Sequence, residues 1–293
     1  MIASHPAHVL VFGLGYTGTA LARAAVAAGM SVTATSRVPA ATTPPEGVRV
    51  TAFDTAADVL SQATHVVATA PPGPEGDPVL AMYGEALAVA PRLRWIGYLS
   101  TTGVYGDRRG GWVDEDSQPA PGSDRARRRI AAEQAWTALS RRYAVDVFRV
   151  AGIYGPGRSA IDDLRAGKAR RIAKPGHEFG RIHRDDITRA LMAAIGRNNV
   201  PGSRVLNLVD DEPAASAVVI AEAAALLGVE PPPVIPYDVA APEMSEMARS
   251  FWVENRKVSS AKTKSLLGLD WLYPSYREGL RAILAEEGRH GPT

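Results

Sequence analysis

Six residues near the start of the chain, Gly13-Leu14-Gly15-Tyr16-Thr17-Gly18, have the spacing of a backbone turn that can cradle phosphate. A glycine at 13 permits a tight turn, one at 15 lets a pyrophosphate approach the backbone, and one at 18 lets a helix pack closely on a strand. Gly13, Gly15, Tyr16, Thr17 and Gly18 are therefore expected to hold a dinucleotide. Ser36-Arg37 comes next, and no acidic residue precedes Glu46. A carboxylate there would bind a ribose 2′-hydroxyl and repel a 2′-phosphate, whereas a cation beside a hydroxyl suits the phosphate. The pair points to NADP, with NAD as the alternative, and an Arg37 on a solvated loop is the bland reading. Asp54 either accepts from the adenine amino group or is a surface acid, and Ala70 is expected beside the cofactor.

The elements that must position these residues are legible in the apolar spacing. His8–Phe12 reads as a buried strand, Thr17–Ala28 as a helix with Gly29 as its stop, and Ser31–Ser36 as the next strand. Strands are expected at Val48–Phe53, His65–Ala70, Trp95–Ser100 and Val145–Val150, with helices Asp77–Ala90 and Ser123–Tyr143 among them. Such alternation predicts an α/β fold, a Rossmann-type doubly wound parallel sheet covered on both faces. Beyond it, Asp185–Gly196 reads as a helix, Val205–Val209 as a strand and Ala214–Leu227 as a helix ending at Gly228. Prolines 231, 232, 233 and 236 lead into a smaller C-terminal lobe packed by Leu266, Leu267, Trp271, Tyr273, Tyr276 and Leu280. The expected division is 1–160 with about 176–212 for the dinucleotide domain, and about 161–175 with 213–293 for a substrate lobe.

Composition narrows the class. The net charge is +2 over 293 residues, without the one-sided basic footprint of a nucleic-acid binder. The chain has no cysteine, which excludes disulfides, thiolate metal sites and cysteine nucleophiles. Its six histidines have no ligand spacing, so no metal is expected. The first basic residue is Arg23 and no apolar run approaches 18 residues, so a soluble, cytoplasmic protein without membrane contact is expected. Its expected partner is a small-molecule substrate. Monomer and homodimer both stand, with Ser123–Tyr143 as the dimer helix in the second case.

Tyr98-Leu99-Ser100-Thr101-Thr102-Gly103-Val104-Tyr105-Gly106 is the second informative stretch. Val113-Asp114-Glu115, Ala132-Glu133-Gln134, the run Arg149–Gly157, Ile182-His183-Arg184-Asp185-Asp186 and Leu267-Gly268 follow in order, with aromatics and Pro274 after them. With the glycine loop, they make the chain resemble the extended short-chain dehydrogenase/reductases, the NAD-dependent epimerase/dehydratase group, over nearly its whole length. The resemblance implies a strand-end Ser or Thr that orients the substrate oxygen and a Tyr that transfers the proton. It also implies a Lys four residues later that lowers the Tyr pKa and holds the nicotinamide ribose. Aligned on Val104-Tyr105-Gly106, the hydroxyl role falls to Thr101, with Ser100 and Thr102 beside it. Aligned on Glu133, the Tyr position is Arg125 and the Lys position Arg129.

No lysine occurs before Lys168 and no tyrosine between Gly106 and Arg142. The resemblance is thus to an atypical subgroup without the Tyr-x-x-x-Lys pair. Arg129 keeps a positive charge for the cofactor, but Arg125 cannot shuttle a proton because guanidinium stays protonated above pH ~12. Tyr105, Tyr154 and His183 are the candidate stand-ins; packing is the competing reading for each tyrosine, and a hydrogen bond to Asp185 or Asp186 for His183. Arg108, Arg109, Arg125, Arg127 and Arg128 suit an anionic or nucleotide-linked substrate or form a solvated face, while Arg129 and Arg158 are expected to point inward. The expected catalytic set is Ser100, Thr101, Arg129 and His183, with Tyr105, Arg158 and His183 toward the substrate. Two functions compete: an NADP-preferring oxidoreductase or epimerase-like enzyme with a non-standard proton donor, and a non-catalytic NAD(P)-binding redox sensor.

Overall fold

A computed structural model describes residues 7–197 and 200–290. Strands and helices follow one another from the N-terminus: β1 (His8–Phe12), α1 (Tyr16–Ala27), β2 (Ser31–Ser36), β3 (Val48–Ala52), α2 (Ala57–Gln62), β4 (His65–Ala68), α3 (Pro78–Val89) and β5 (Trp95–Thr101). After a short β6 (Trp112–Val113) come α4 (Asp124–Thr137), β7 (Ala144–Val150), β8 (Gly152–Tyr154) and α5 (Ala160–Arg165). Then follow β9 (Ile172–Ala173), β10 (Arg181–His183), α6 (Arg184–Ile195), β11 (Gly202–Leu208) and α7 (Ser216–Leu227). Seven of the strands form one sheet in the order β11-β7-β5-β4-β1-β2-β3. The chain starts in the middle, at β1, which pairs in parallel with β2 (Leu10 opposite Thr33) and β4 (Leu10 opposite Val66). This is the Rossmann-type α/β fold expected from the alternation.

Most residues of β1, β4, β5 and β7 are buried on both faces, as parallel strands covered by helices require. Leu10, Phe12, Val66, Ile96, Tyr98 and Val145 meet Leu60, Tyr83, Leu87 and Trp136 from the helices in one apolar cluster. Polar groups inside it are paired. Asp77 caps α3 by accepting from the amides of Val79 and Leu80, and its other oxygen accepts from the Trp136 indole at 3.1 Å. On the neighbouring strands, Asp146 accepts from the Trp95 indole at 2.8 Å and from two nitrogens of Arg204 at 2.6 and 2.7 Å. The helix expected over Ser123–Tyr143 gives way after Thr137 to a tighter turn, Ala138–Arg141.

The chain divides into two compact units. The first holds the chain up to Thr101, Ser123–Arg149 and Ile187–Leu206; the second holds Thr102–Gly122, Val150–Asp186 and the chain from Asn207 onward. These bounds depart from the division read off the sequence, and long-range hydrogen bonds explain why. Residues 102–122 are tied to the C-terminal part: buried Glu115 accepts from the amide and hydroxyl of Thr263, at 3.2 and 2.6 Å. Residues 187–206 return to the sheet, where the Gly202 amide donates to the Tyr143 carbonyl. In the second unit, Tyr154, Ile161, Val219, Ala223, Tyr276 and Leu280 form the main apolar cluster. No helix among the described residues is long and apolar enough to cross a membrane.

Candidate active site

The glycine loop leaves β1 at Phe12 and enters α1 at Tyr16. Gly13 has φ 106°, a left-handed conformation that favours glycine, and a Cβ on it would lie 2.5 Å from the Thr69 hydroxyl. A Cβ on Gly18 would lie 2.1 Å from the Gly13 carbonyl, so the third glycine is required by helix-to-loop contact. Gly15 is different: a Cβ there meets open space. It caps α1 without any side-chain oxygen, and no acid occupies the first turn. The positive end of the helix is therefore open at Gly15, where a pyrophosphate could approach the backbone.

Two threonines brace this loop. The Thr69 hydroxyl, just past β4, lies 3.0 Å from the carbonyls of both Phe12 and Gly13. The Thr35 hydroxyl accepts from the Gly13 amide at 3.3 Å. Of the expected contacts, Thr17 is buried under the loop, Tyr16 half-buried, and Ala70 lies two residues past the end of β4. Ser36 spends its hydroxyl on shaping the turn after β2: it meets the Thr42 hydroxyl at 2.7 Å and accepts from the Val38 amide. Arg37 stands exposed beside it, and no ion pair holds it among the described residues. Asp54 is exposed in a single 3-10 turn, Phe53–Thr55.

The end of β5 carries a buried charged triad. The Ser100 hydroxyl lies 2.5 Å from Glu133 Oε1, and Arg149 grips both Glu133 oxygens, at 3.2 and 2.7 Å. All three residues are buried. With its proton given to a carboxylate, Ser100 faces any other group as an acceptor. Thr101 next to it is half-buried and ends the strand. Arg129, on the inward face of α4, donates through Nη1 to the Tyr98 hydroxyl at 3.0 Å and the Leu99 carbonyl at 2.8 Å. Burial pushes the Tyr98 phenol up to about 12, against the pull of Arg129, so it stays protonated at neutral pH. Arg125 is exposed in the first turn of α4.

In the second unit the residues expected toward the substrate are placed quite differently. Tyr105 is fully buried and donates its hydroxyl to Asn207 Oδ1 at 2.8 Å, so it is a packed core residue without a face for substrate. Tyr154 is buried and donates to the Ser275 carbonyl; burial raises its phenol far above the ordinary value. His183 is only 1% exposed, wedged between the rings of Tyr154 and Tyr273 at 5.1 and 4.3 Å. Its Nδ1 accepts from the Asp185 amide, and burial lowers its pKa to about 4. A buried imidazole with so lowered a pKa is neutral at pH 7, which weighs against the proton-donor and substrate-contact roles expected of it. Arg158 is exposed and lines a cavity of the second unit. Thr69, Glu133 and Arg149 went unmarked as site residues because their role is a contact to residues 16 to 57 positions away, which no local pattern encodes.

No family model matches the chain. The solved structure of a functionally unknown conserved protein from Silicibacter pomeroyi DSS superposes with a TM-score of 0.87 at 42% identity, covering 96% of this chain and 99% of that one. A putative NAD-dependent epimerase/dehydratase from Methylobacillus flagellatus follows at 27% identity and TM-score 0.73, with 96% and 99% covered. Over nearly its whole length the chain is thus similar to the NAD-dependent epimerase/dehydratase type of the extended short-chain dehydrogenase/reductases. The human epimerase family protein SDR39U1, solved with NADPH, shares the fold at TM-score 0.71 and 22% identity, covering 96% of this chain and all of that one. Among the described residues, no group of three or more His, Asp or Glu could hold a metal ion.

Proposed function

We propose that this chain is an NADP-preferring oxidoreductase or epimerase-like enzyme of the extended short-chain group, acting on a small carbonyl or hydroxyl compound without a Tyr-Lys pair. The observation that carries the reading is the open space over Gly15 at an uncapped, acid-free helix start. Gly13, Gly15, Tyr16, Thr17 and Gly18 would hold the pyrophosphate, with Thr35 and Thr69 keeping the loop in shape. Arg37 would meet the 2′-phosphate, on the turn that the Ser36 hydroxyl shapes, and Asp54 the adenine; the exposed Arg37 supports NADP over NAD. A bound nicotinamide supplies or accepts hydride. Arg129, with one nitrogen anchored on β5, keeps a fixed positive charge under the ribose. Thr101, at the end of β5, would orient the substrate oxygen, beside a Ser100 whose proton goes to Glu133. The NADPH solved with SDR39U1, a protein of the same fold, supports the cofactor choice.

One observation favours a second reading, a redox-sensing binder: His183, Tyr105 and Tyr154 are all buried in packing roles. Equilibrium titration with NADPH, NADP+, NADH and NAD+, followed by hydride transfer to a carbonyl panel, separates the readings. NADPH is expected to bind tightest, with at least a tenfold loss in Arg37→Ala and little change for NADH. Binding without turnover supports the sensor, and failure of all four nucleotides to bind overturns both readings.

A further inference from the structure

The second unit carries a half-open pocket of about 440 Å³, a size suited to a small organic ligand. Its apolar wall is made by Ile153, Val219, Ile220 and Leu280. Its polar wall includes Arg158, Arg181, Ser216 and Tyr276. Helix α7 begins there: Ser216 is its first residue, its N-cap is Ala215, and neither a side-chain cap nor an acid neutralises its positive end.

An independent observation marks this wall as built for a partner. Tyr276 is 1% exposed, yet its hydroxyl has no hydrogen-bond partner. Buried donors are rarely left in that state. Burial raises this phenol above its ordinary pKa, so it keeps its proton and needs an acceptor. Arg181 is fixed nearby, its Nη1 donating to the carbonyls of Phe179 and Ala214. The lining also carries two acids. Asp162 accepts the Ser159 hydroxyl at 2.5 Å within the cap of α5, and Asp163 is exposed.

We propose that this cavity binds a small organic carboxylate, its charged end toward Arg158 and the start of α7 at Ser216, its hydrocarbon body on Ile153, Val219, Ile220 and Leu280. Tyr276 donates from the buried side. The site lies within the second unit, and the proposal is independent of the dinucleotide reading of the first.

The test is calorimetric titration of the full chain with benzoate, phenyl phosphate and benzyl alcohol, for wild type, Arg158→Ala and Ser216→Asp. An aspartate at the first position of α7 favours the helix, so Ser216→Asp is expected to fold while placing a negative charge in the wall. Benzoate is expected to saturate the wild type, to weaken at least tenfold in Arg158→Ala and to be lost in Ser216→Asp, with no binding of benzyl alcohol. NADPH titrations run in parallel are expected to be unchanged in both variants, and their failure in wild type would sink the cofactor reading alone. Benzoate that does not saturate, or binds Ser216→Asp as well as wild type, overturns the proposal. Tighter binding of phenyl phosphate than benzoate overturns the carboxylate class.

Discussion

Gly15 and Gly18 belong to one loop but do different work, and substitution separates them. In Gly18→Ala the new methyl group would sit 2.1 Å from the Gly13 carbonyl, so the helix must back away from the loop. We expect a loss of about 1–3 kcal/mol in stability, the usual cost of overpacking, together with loss of NADPH binding. Gly15→Ala meets open space, at φ −85°, so stability is expected to change little while NADPH affinity falls at least tenfold. Parallel melts and titrations check both. An equal stability loss in the two variants would count against open space over Gly15. Histidines supply a second residue-scale prediction. Burial lowers His65 and His183 to about 4 from an ordinary 6.5. The unfolded chain therefore takes up protons near pH 6.5 that the native state refuses until about pH 4. The resulting stability is fully present above pH 6.5 and is lost as pH falls toward 4, on the order of 3 kcal/mol per histidine. Melting midpoints measured from about pH 7.5 to 4.5 should fall across this window, and less so in His65→Phe. A flat profile would contradict neutral burial.

At the scale of elements, Asp77 links two helices: one oxygen caps α3 while the other accepts from Trp136 on α4. Asp77→Ala removes the cap and leaves the buried indole N–H unpaired, so a loss of about 2–3 kcal/mol is expected from the two terms together. Asp77→Asn keeps an acceptor for the cap and should recover roughly half, as chemical denaturation would show. The order of strands and helices was legible because buried parallel strands read as short apolar runs between helices with clear stops, such as Gly29. What was not legible is how element ends are used. Nothing local shows that the Ser100 hydroxyl is taken by Glu133, because the partner is 33 positions away and the charge that holds it, Arg149, is on another strand.

For the molecule as a whole, neither compact unit is a continuous stretch of chain; each is assembled from three segments. A fragment ending at residue 206 would keep the three segments of the first unit but strand residues 102–122 and 150–186 without the C-terminal residues they pair with, such as Thr263 for Glu115. Such a fragment is expected to melt without a sharp transition in circular dichroism. A single cooperative melt like that of the full chain would mean that the first unit folds alone. Bound NADPH, in contrast, should raise the melting midpoint of the full chain, by about 2.7 kcal/mol of stabilisation at roughly a hundred times its dissociation constant.

The sequence by itself determined the sheet and the glycine turn after its first strand, because these rest on spacings of a few residues: glycines at 13, 15 and 18 and apolar runs of strand length. Only the tertiary structure decided which polar side chains remain available for chemistry. His183 and Tyr105 have suitable side chains on paper, yet packing between aromatic rings withdraws the first and Asn207 claims the second. Burial and hydrogen-bond partnership are properties of what surrounds a residue, and those surroundings come from segments distant in the chain.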